Sequence, residues 1–111
     1  MQQLLYKART RRLVEEAKEI FPLNTDEVKI GALGPPHGEC DLVMRDPGHR
    51  ISPLHCLIVR KGRSLYLINE SVNGTMINDE EVEKGSMKRL RNGDRLALAD
   101  EAVLVLQPHY D

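Results

Sequence analysis

The sequence predicts an all-β domain, a sandwich or a barrel, on three observations. From Val28 onward the apolar residues fall in short, often alternating runs: VKIGA, CDLVM, HCLIVR, SLYLIN, GTMIN, DRLALA and AVLVLQ. The breaks between them are turn chemistry: LGPPHGE, RDPGHR, RKGR and RNGD. Asn-Gly pairs, of the kind that close β-hairpins, stand at 73–74 and 92–93, and Gly93-Asp94 is expected to make a hairpin turn. Finally, 111 residues, 41% apolar and 30% charged, suit one domain with a real core. With three Tyr, one Phe and no Trp, that core must be Leu, Ile and Val.

Before Val28 two readings stand. QQLLYKARTRRLVEEAKEIF is rich in helix formers. Leu13, Ala17 and Ile20 share one helical face, as do Val14, Ala17 and Phe21, and Pro22 would end the helix. Against this, Lys7, Arg9, Arg11 and Arg12 load positive charge where the helix dipole prefers negative. The alternative is a hairpin of LLYKART and AKEIFPLN; local propensity alone favours the helix. Further on, the alternation puts Ile30, Leu42, Cys56, Ile58, Leu65, Leu67, Ile77, Leu96, Leu98, Val103 and Val105 in the core.

Composition excludes several functions. A net charge of −1 gives no basic field for nucleic acid. No apolar run approaches the roughly 18 residues of a membrane span, and no signal peptide is visible. Cys40 and Cys56 sit in apolar stretches and read as reduced core thiols, which points to an intracellular setting, cytoplasmic or nuclear. His37, His49, His55 and His109 show no metal-ligand spacing, so neither a metal nor another cofactor is expected. No nucleophile–base pair is apparent, and two prolines break the glycine-rich GALGPPHG, so no enzyme is expected.

Five pieces, in order, carry a family resemblance: VKIG (28–31), DPGHRISPLHC (46–56), SVNGTMIN (71–78), LRNGDRLALA (90–99) and the closing AVLVL. The set, with S-x-x-H and N-G-T-x-x-N about twenty residues apart, closely resembles the forkhead-associated (FHA) domain over roughly residues 16 to 107. The resemblance implies an eleven-stranded β-sandwich whose loops at one end bind phosphothreonine peptides. It implies one domain over 1–111, within a larger chain, with a protein or phosphopeptide partner and neither nucleic acid nor membrane. EEVEK and MKRL supply two more strands, and the last two must then precede Val28, which favours strands there. Ser52 is the hydroxyl placed to meet a phosphate, and the Asn73 amide can bond a peptide backbone. Asn73 would also take φ > 0 at the turn, with Gly74 completing it. His55, Gly74, Thr75 and Asn78 are implied to brace the loops.

The sequence also departs from the family pattern. The family's chief phosphate ligand is an Arg directly after the Gly of the I-G pair; here Ala32 follows Ile30-Gly31. That removes the planar fork that grips a phosphate bidentately. Pro53 stands after Ser52, and Val72 before Asn73. Arg50 lies two residues before Ser52 and is the candidate replacement cation, with Arg45, His49, Arg60 and Arg63 also in or beside predicted loops. Ile51 to Cys56 resembles the I-x-P-x-H-C step of FHA domains in kinesin-type motors and junction scaffold proteins, several of which lack a clean phosphate site. The expectation is therefore an interaction module with a degenerate phosphate site, or else a phosphothreonine reader using Arg50, Ser52 and Asn73. GPPHG lengthens the loop after Ala32, at the end where a peptide would lie.

Overall fold

The structure, a computed structural model, describes residues 2–8, 19–32, 40–44, 50–99 and 102–108. They form eleven strands and, among the described residues, no helix. The strands are β1 (Gln2–Ala8), β2 (Glu19–Leu23), β3 (Glu27–Ala32), β4 (Leu42–Met44), β5 (Cys56–Lys61), β6 (Ser64–Asn69), β7 (Thr75–Ile77), β8 (Glu80–Val82), β9 (Met87–Leu90), β10 (Arg95–Leu98) and β11 (Ala102–Pro108). One sheet runs β2-β1-β11-β10-β7-β8 and the other β4-β3-β5-β6-β9. The two pack as a sandwich around Leu4, Val28, Ile30, Ile58, Leu65, Leu67, Leu96, Leu98, Leu104 and Leu106.

The helix reading fails where it can be compared. Residues 2–8 and 19–23 are strands, and β1 pairs with β11 over its whole length, from Gln2↔Pro108 to Ala8↔Ala102. Seven ladder positions and a buried Leu4 outweigh helix propensities worth tenths of a kcal/mol each. Pro22 is tolerated because β2 is an edge strand, where a missing N–H costs least. Leu13, Val14 and Ala17 of the proposed helical faces lie outside the described residues, as do His37, Arg45, His49, His109 and the GPPHG loop.

The core expectation needs adjusting at three places. Val103 and Val105 are half-buried, whereas Ala102, Leu104 and Leu106 are buried. The register pairs Leu96 with Leu104, and this fixes which face of β11 turns inward. Leu42, on the short edge strand β4, is only partly buried against the core. Cys56 is buried but Cys40 is half-exposed; both are free thiols.

The Asn-Gly turns do not close hairpins. Asn73-Gly74 carries the chain from β6 to β7, and Asn92-Gly93-Asp94 from β9 to β10, and each step changes sheet. In both pairs the positive φ falls on the glycine, 95° at Gly74 and 93° at Gly93. A type I′ hairpin needs positive φ at both central residues. Asn78 (φ 50°) and Asp79 (φ 70°) meet that requirement and join β7 to β8. Gly62 (φ 63°) opens the β5–β6 hairpin.

Gly31 is fixed by packing and not by φ. A Cβ there would collide with the Pro53 carbonyl oxygen and lie 2.9 Å from Cys40 Sγ. Both belong to chain crossing over β3: Pro53 O accepts from Cys40 Sγ at 2.9 Å, and His55 N–H donates to Ile30 O at 2.8 Å. Gly31→Ala should therefore destabilise the domain well beyond the roughly 1 kcal/mol expected for Gly62→Ala, whose surroundings are open. Denaturant unfolding of the two variants side by side checks this.

Burial pushes the Cys56 thiol up to about 12 from 9.0, with a smaller contribution from Cys40. Below about pH 9 the thiol is protonated in both the folded and unfolded chain. As pH rises from about 9 towards 12, the unfolded chain loses that proton while the folded one keeps it, so stability falls across this window. The expected outcome is a decline in Tm above pH 9 that Cys56→Ala reduces. At pH 8, a thiol reagent should label Cys40 of the native domain much faster than Cys56.

Candidate functional site

The strands bring four connections to one end of the sandwich. The loop from Arg50 to His55 enters β5, and Glu70 to Gly74 links β6 to β7. Ala32 ends β3 beside them, and Ala99 begins the β10–β11 turn. From His55, β5 runs six residues, about 20 Å, to the Gly62-Arg63 hairpin. Arg60 and Arg63 therefore sit at the opposite end and do not serve this site.

His55 is buried and couples the first two loops. Its Nδ1 accepts the Ser52 N–H at 3.1 Å, so the ring proton is on Nε2, which donates to Gly74 O at 2.9 Å. The same carbonyl accepts the Ala99 N–H at 3.0 Å, tying in the third loop. Ala32 N–H donates to Ser52 O at 3.0 Å, which fixes the fourth.

Beneath them lies Asn69, fully buried at the end of β6. Its Nδ2 donates to Ser71 O (3.1 Å) and Val82 O (2.8 Å), and its Oδ1 accepts from Ser71 N (3.0 Å) and Thr75 Oγ1 (2.7 Å). Ser71, also buried, passes this order outward. Its Oγ accepts the Asn73 N–H at 3.0 Å and shares a 2.7 Å hydrogen bond with Ser52 Oγ. Asn73 Nδ2 donates to Arg50 O at 2.8 Å. Arg50, Ser52 and Asn73 are thus brought onto one rim, with the Arg50 and Asn73 side chains exposed and Ser52 half-buried. Val72, 79% exposed, stands at the tip of the same loop.

Two residues with structuring roles escaped the sequence reading. Asn69 and Ser71 lie in INESVN, where polar residues at a strand end look like ordinary turn formers. Asn78, in contrast, does not reach this loop through its hydrogen bonds. It sits in the β7–β8 turn, donates to Asp94 Oδ1 at 2.8 Å and accepts from Arg95 N at 2.9 Å. The sequence places it three residues after Thr75, but β7 carries it to the far end. Beside Asn73 and Gly74 lies an open depression of about 120 Å³, lined also by Met76, Glu81, Ala97 and Ala99. It is well below the roughly 300–1,000 Å³ of a small-molecule pocket.

A two-sheet sandwich that presents several loops from one end, each tied to the next by buried polar groups, defines a binding module built on a rigid scaffold. Residues 28–99 match the family model described as FHA domain, and the chain belongs to that family. FHA domains are phosphopeptide-binding protein-interaction modules, generally without enzymatic activity. Solved structures agree in fold. The yeast Pml1 splicing factor superposes with a TM-score of 0.80 at 22% identity, over 99% of this chain and 81% of that one. The FHA domain of CT664 from Chlamydia trachomatis gives 0.72 at 20% identity, over 97% and 99%. The MEK1 FHA domain in complex with a phosphothreonine peptide of HOP1 gives 0.68 at 22%, over 98% and 97%. No curated protein matches the chain significantly in sequence.

The network makes a specific stability prediction. Asn69→Ala leaves Ser71 N–H, Thr75 Oγ1 and two carbonyls without their buried partner, at about 1–3 kcal/mol per unsatisfied group. The variant should lose about 3 kcal/mol or more, read as a lower denaturant midpoint.

Proposed function

We propose that this chain is a protein-interaction module of the FHA type with a degenerate phosphate site, binding its partner protein weakly or independently of phosphothreonine. The observation that carries the reading is Ala32 at the position where the family pattern has its phosphate-gripping Arg. Its side chain offers nothing to an anion, and its N–H is already given to Ser52 O. The neighbouring groups are engaged internally as well: Asn73 Nδ2 with Arg50 O, and Ser52 Oγ with Ser71 Oγ. A dianionic phosphate sheds water on docking, a cost offset only by several strong donors. The branch resemblance to kinesin-type and junction-scaffold domains rests on Ile51 to Cys56 alone and adds nothing to this reading. Two free thiols fit an intracellular setting.

A second reading, phosphothreonine recognition by Ser52, Asn73 and Arg50, is favoured by the nearness of these three residues on one rim. With Ser71 as donor in the hydroxyl pair, the Ser52 proton remains available to a ligand. Arg50, exposed beside it, would supply the missing charge.

Titration with matched phosphorylated and unphosphorylated Thr-peptides separates the two. The expected outcome is little phosphate preference and a Kd no better than about tens of micromolar. Ala32→Arg should raise affinity for the phosphorylated peptides, and Arg50→Ala should abolish whatever phosphate preference exists. Sub-micromolar, phosphate-dependent binding that is indifferent to Arg50→Ala would overturn the proposal.

A further inference from the structure

Among the described residues, strand β9 is an edge of the five-stranded sheet and pairs only with β6. Met87, Lys88 and Arg89 are all exposed, so its outer row of backbone N–H and C=O groups is open to another strand. The register defines what surrounds it. Met87 lies beside Ile68, and Ile68 beside Leu57; Arg89 lies beside Tyr66, and Tyr66 beside Val59. Leu65, Leu67 and Ile58 turn into the core, so these two rows form the outer face. The next row is Lys61↔Ser64, with Arg63 in the hairpin and Arg91 one residue past β9.

Lys61, Arg63, Arg89 and Arg91 are exposed, and none has an ion-pair partner among the described residues. Lys88 differs: it reaches Glu80 at 3.3 Å. The nearby Asp94 carboxylate is occupied by the Asn78 amide and the Arg91 N–H. Glu27 lies beyond Val59 in the Arg89 row, three strands from Arg89 itself.

We propose that the β9 edge is a docking site for an acidic peptide segment of a partner protein, which adds to the sheet as an antiparallel strand. Charged side chains on an edge guard against pairing with like edges. The same cations that repel the β9 edge of a second copy attract a strand of opposite charge. The geometry sets its pattern. Acidic residues fall opposite Arg91 and Arg89 and an apolar residue opposite Met87, at every second position. A peptide backbone can continue the ladder along the outer row of β9, which a nucleic acid cannot do, and this favours a protein strand. The site lies outside the loop end that carries Ser52 and Asn73 and is independent of how that end treats phosphate.

The test uses the whole chain and the synthetic peptide GSEVEVISG, with GSKVKVISG as control. The acidic peptide should bind with an affinity that falls as salt rises, and should slow hydrogen exchange of the Met87–Leu90 amides. Arg89→Glu combined with Arg91→Glu should weaken it at least ten-fold and admit the lysine peptide instead. Backbone N-methylation of the acidic peptide should abolish binding. Equal binding of the methylated peptide, or unchanged exchange along β9, would reduce the site to loose charge attraction and overturn the proposal. Tighter binding of a single-stranded oligo-dT at this edge, or self-association of the free chain that the double variant removes, would also overturn it.

Discussion

The loop end of this domain depends on one buried amide. A primary amide has two hydrogens to donate and two lone pairs to accept with, and Asn69 uses all four inside the protein. An amide buried without partners would cost several kcal/mol, so each partner is held where Asn69 needs it. Those partners are Ser71, Thr75 and Val82, which belong to the β6–β7 loop, the start of β7 and the end of β8. The backbone of Asn69 is also engaged, with Ser86 O and with Gly85 N–H. From Ser71 the order passes to Ser52 and Asn73, and His55 closes the circuit through Gly74. The rim is therefore shaped before any partner arrives, which lowers the ordering cost of binding.

Much of this was legible in the sequence, and the reasons differ by element. The strands β3 to β7 and β10 alternate or are bounded by clear turn residues, so their positions followed directly, whereas β8 and β9 entered through the strand count that the resemblance implies. In β11 the run AVLVL offers no alternation, and both faces are apolar. Only the cross-strand pair Leu96↔Leu104 decides that Leu104 and not Val103 turns inward. β1 and β2 won over the helix only through the family resemblance, because β1 is held by β11, about a hundred residues away, and β2 pairs with β1. The Asn-Gly pairs were visible as turns, but whether a turn stays within a sheet or crosses to the other is a tertiary fact. On the site, Ser52, His55 and Asn73 carry a motif, whereas Asn69 and Ser71 act through burial, which no local pattern announces.

The polar chemistry of the molecule is divided between surfaces. At the loop end, backbone and neutral side chains satisfy each other, and among the described residues Arg50 is the cation on the rim. Along the β9 edge the reverse holds: cations are plentiful and, Lys88 apart, have no ion-pair partners among the described residues. An overall charge of −1 hides both conditions, since it averages an acidic β8 with a basic β9. Net charge predicts the far field of a protein and says little about what a single edge can recognise.

The pairing of β1 with β11 sets how the domain responds to tension. Gln2 lies opposite Pro108, so the incoming and outgoing chain sit one strand spacing apart, about 5 Å, at the same end of the ladder. A pull on both chain ends loads the hydrogen bonds between β1 and β11 one after another, as a zipper opens, and not all together in shear. Such a domain peels from its terminal strands at low force. Peeling would uncover the β11 face of the core while leaving the five-stranded sheet, with its β9 edge, the last part to be disturbed.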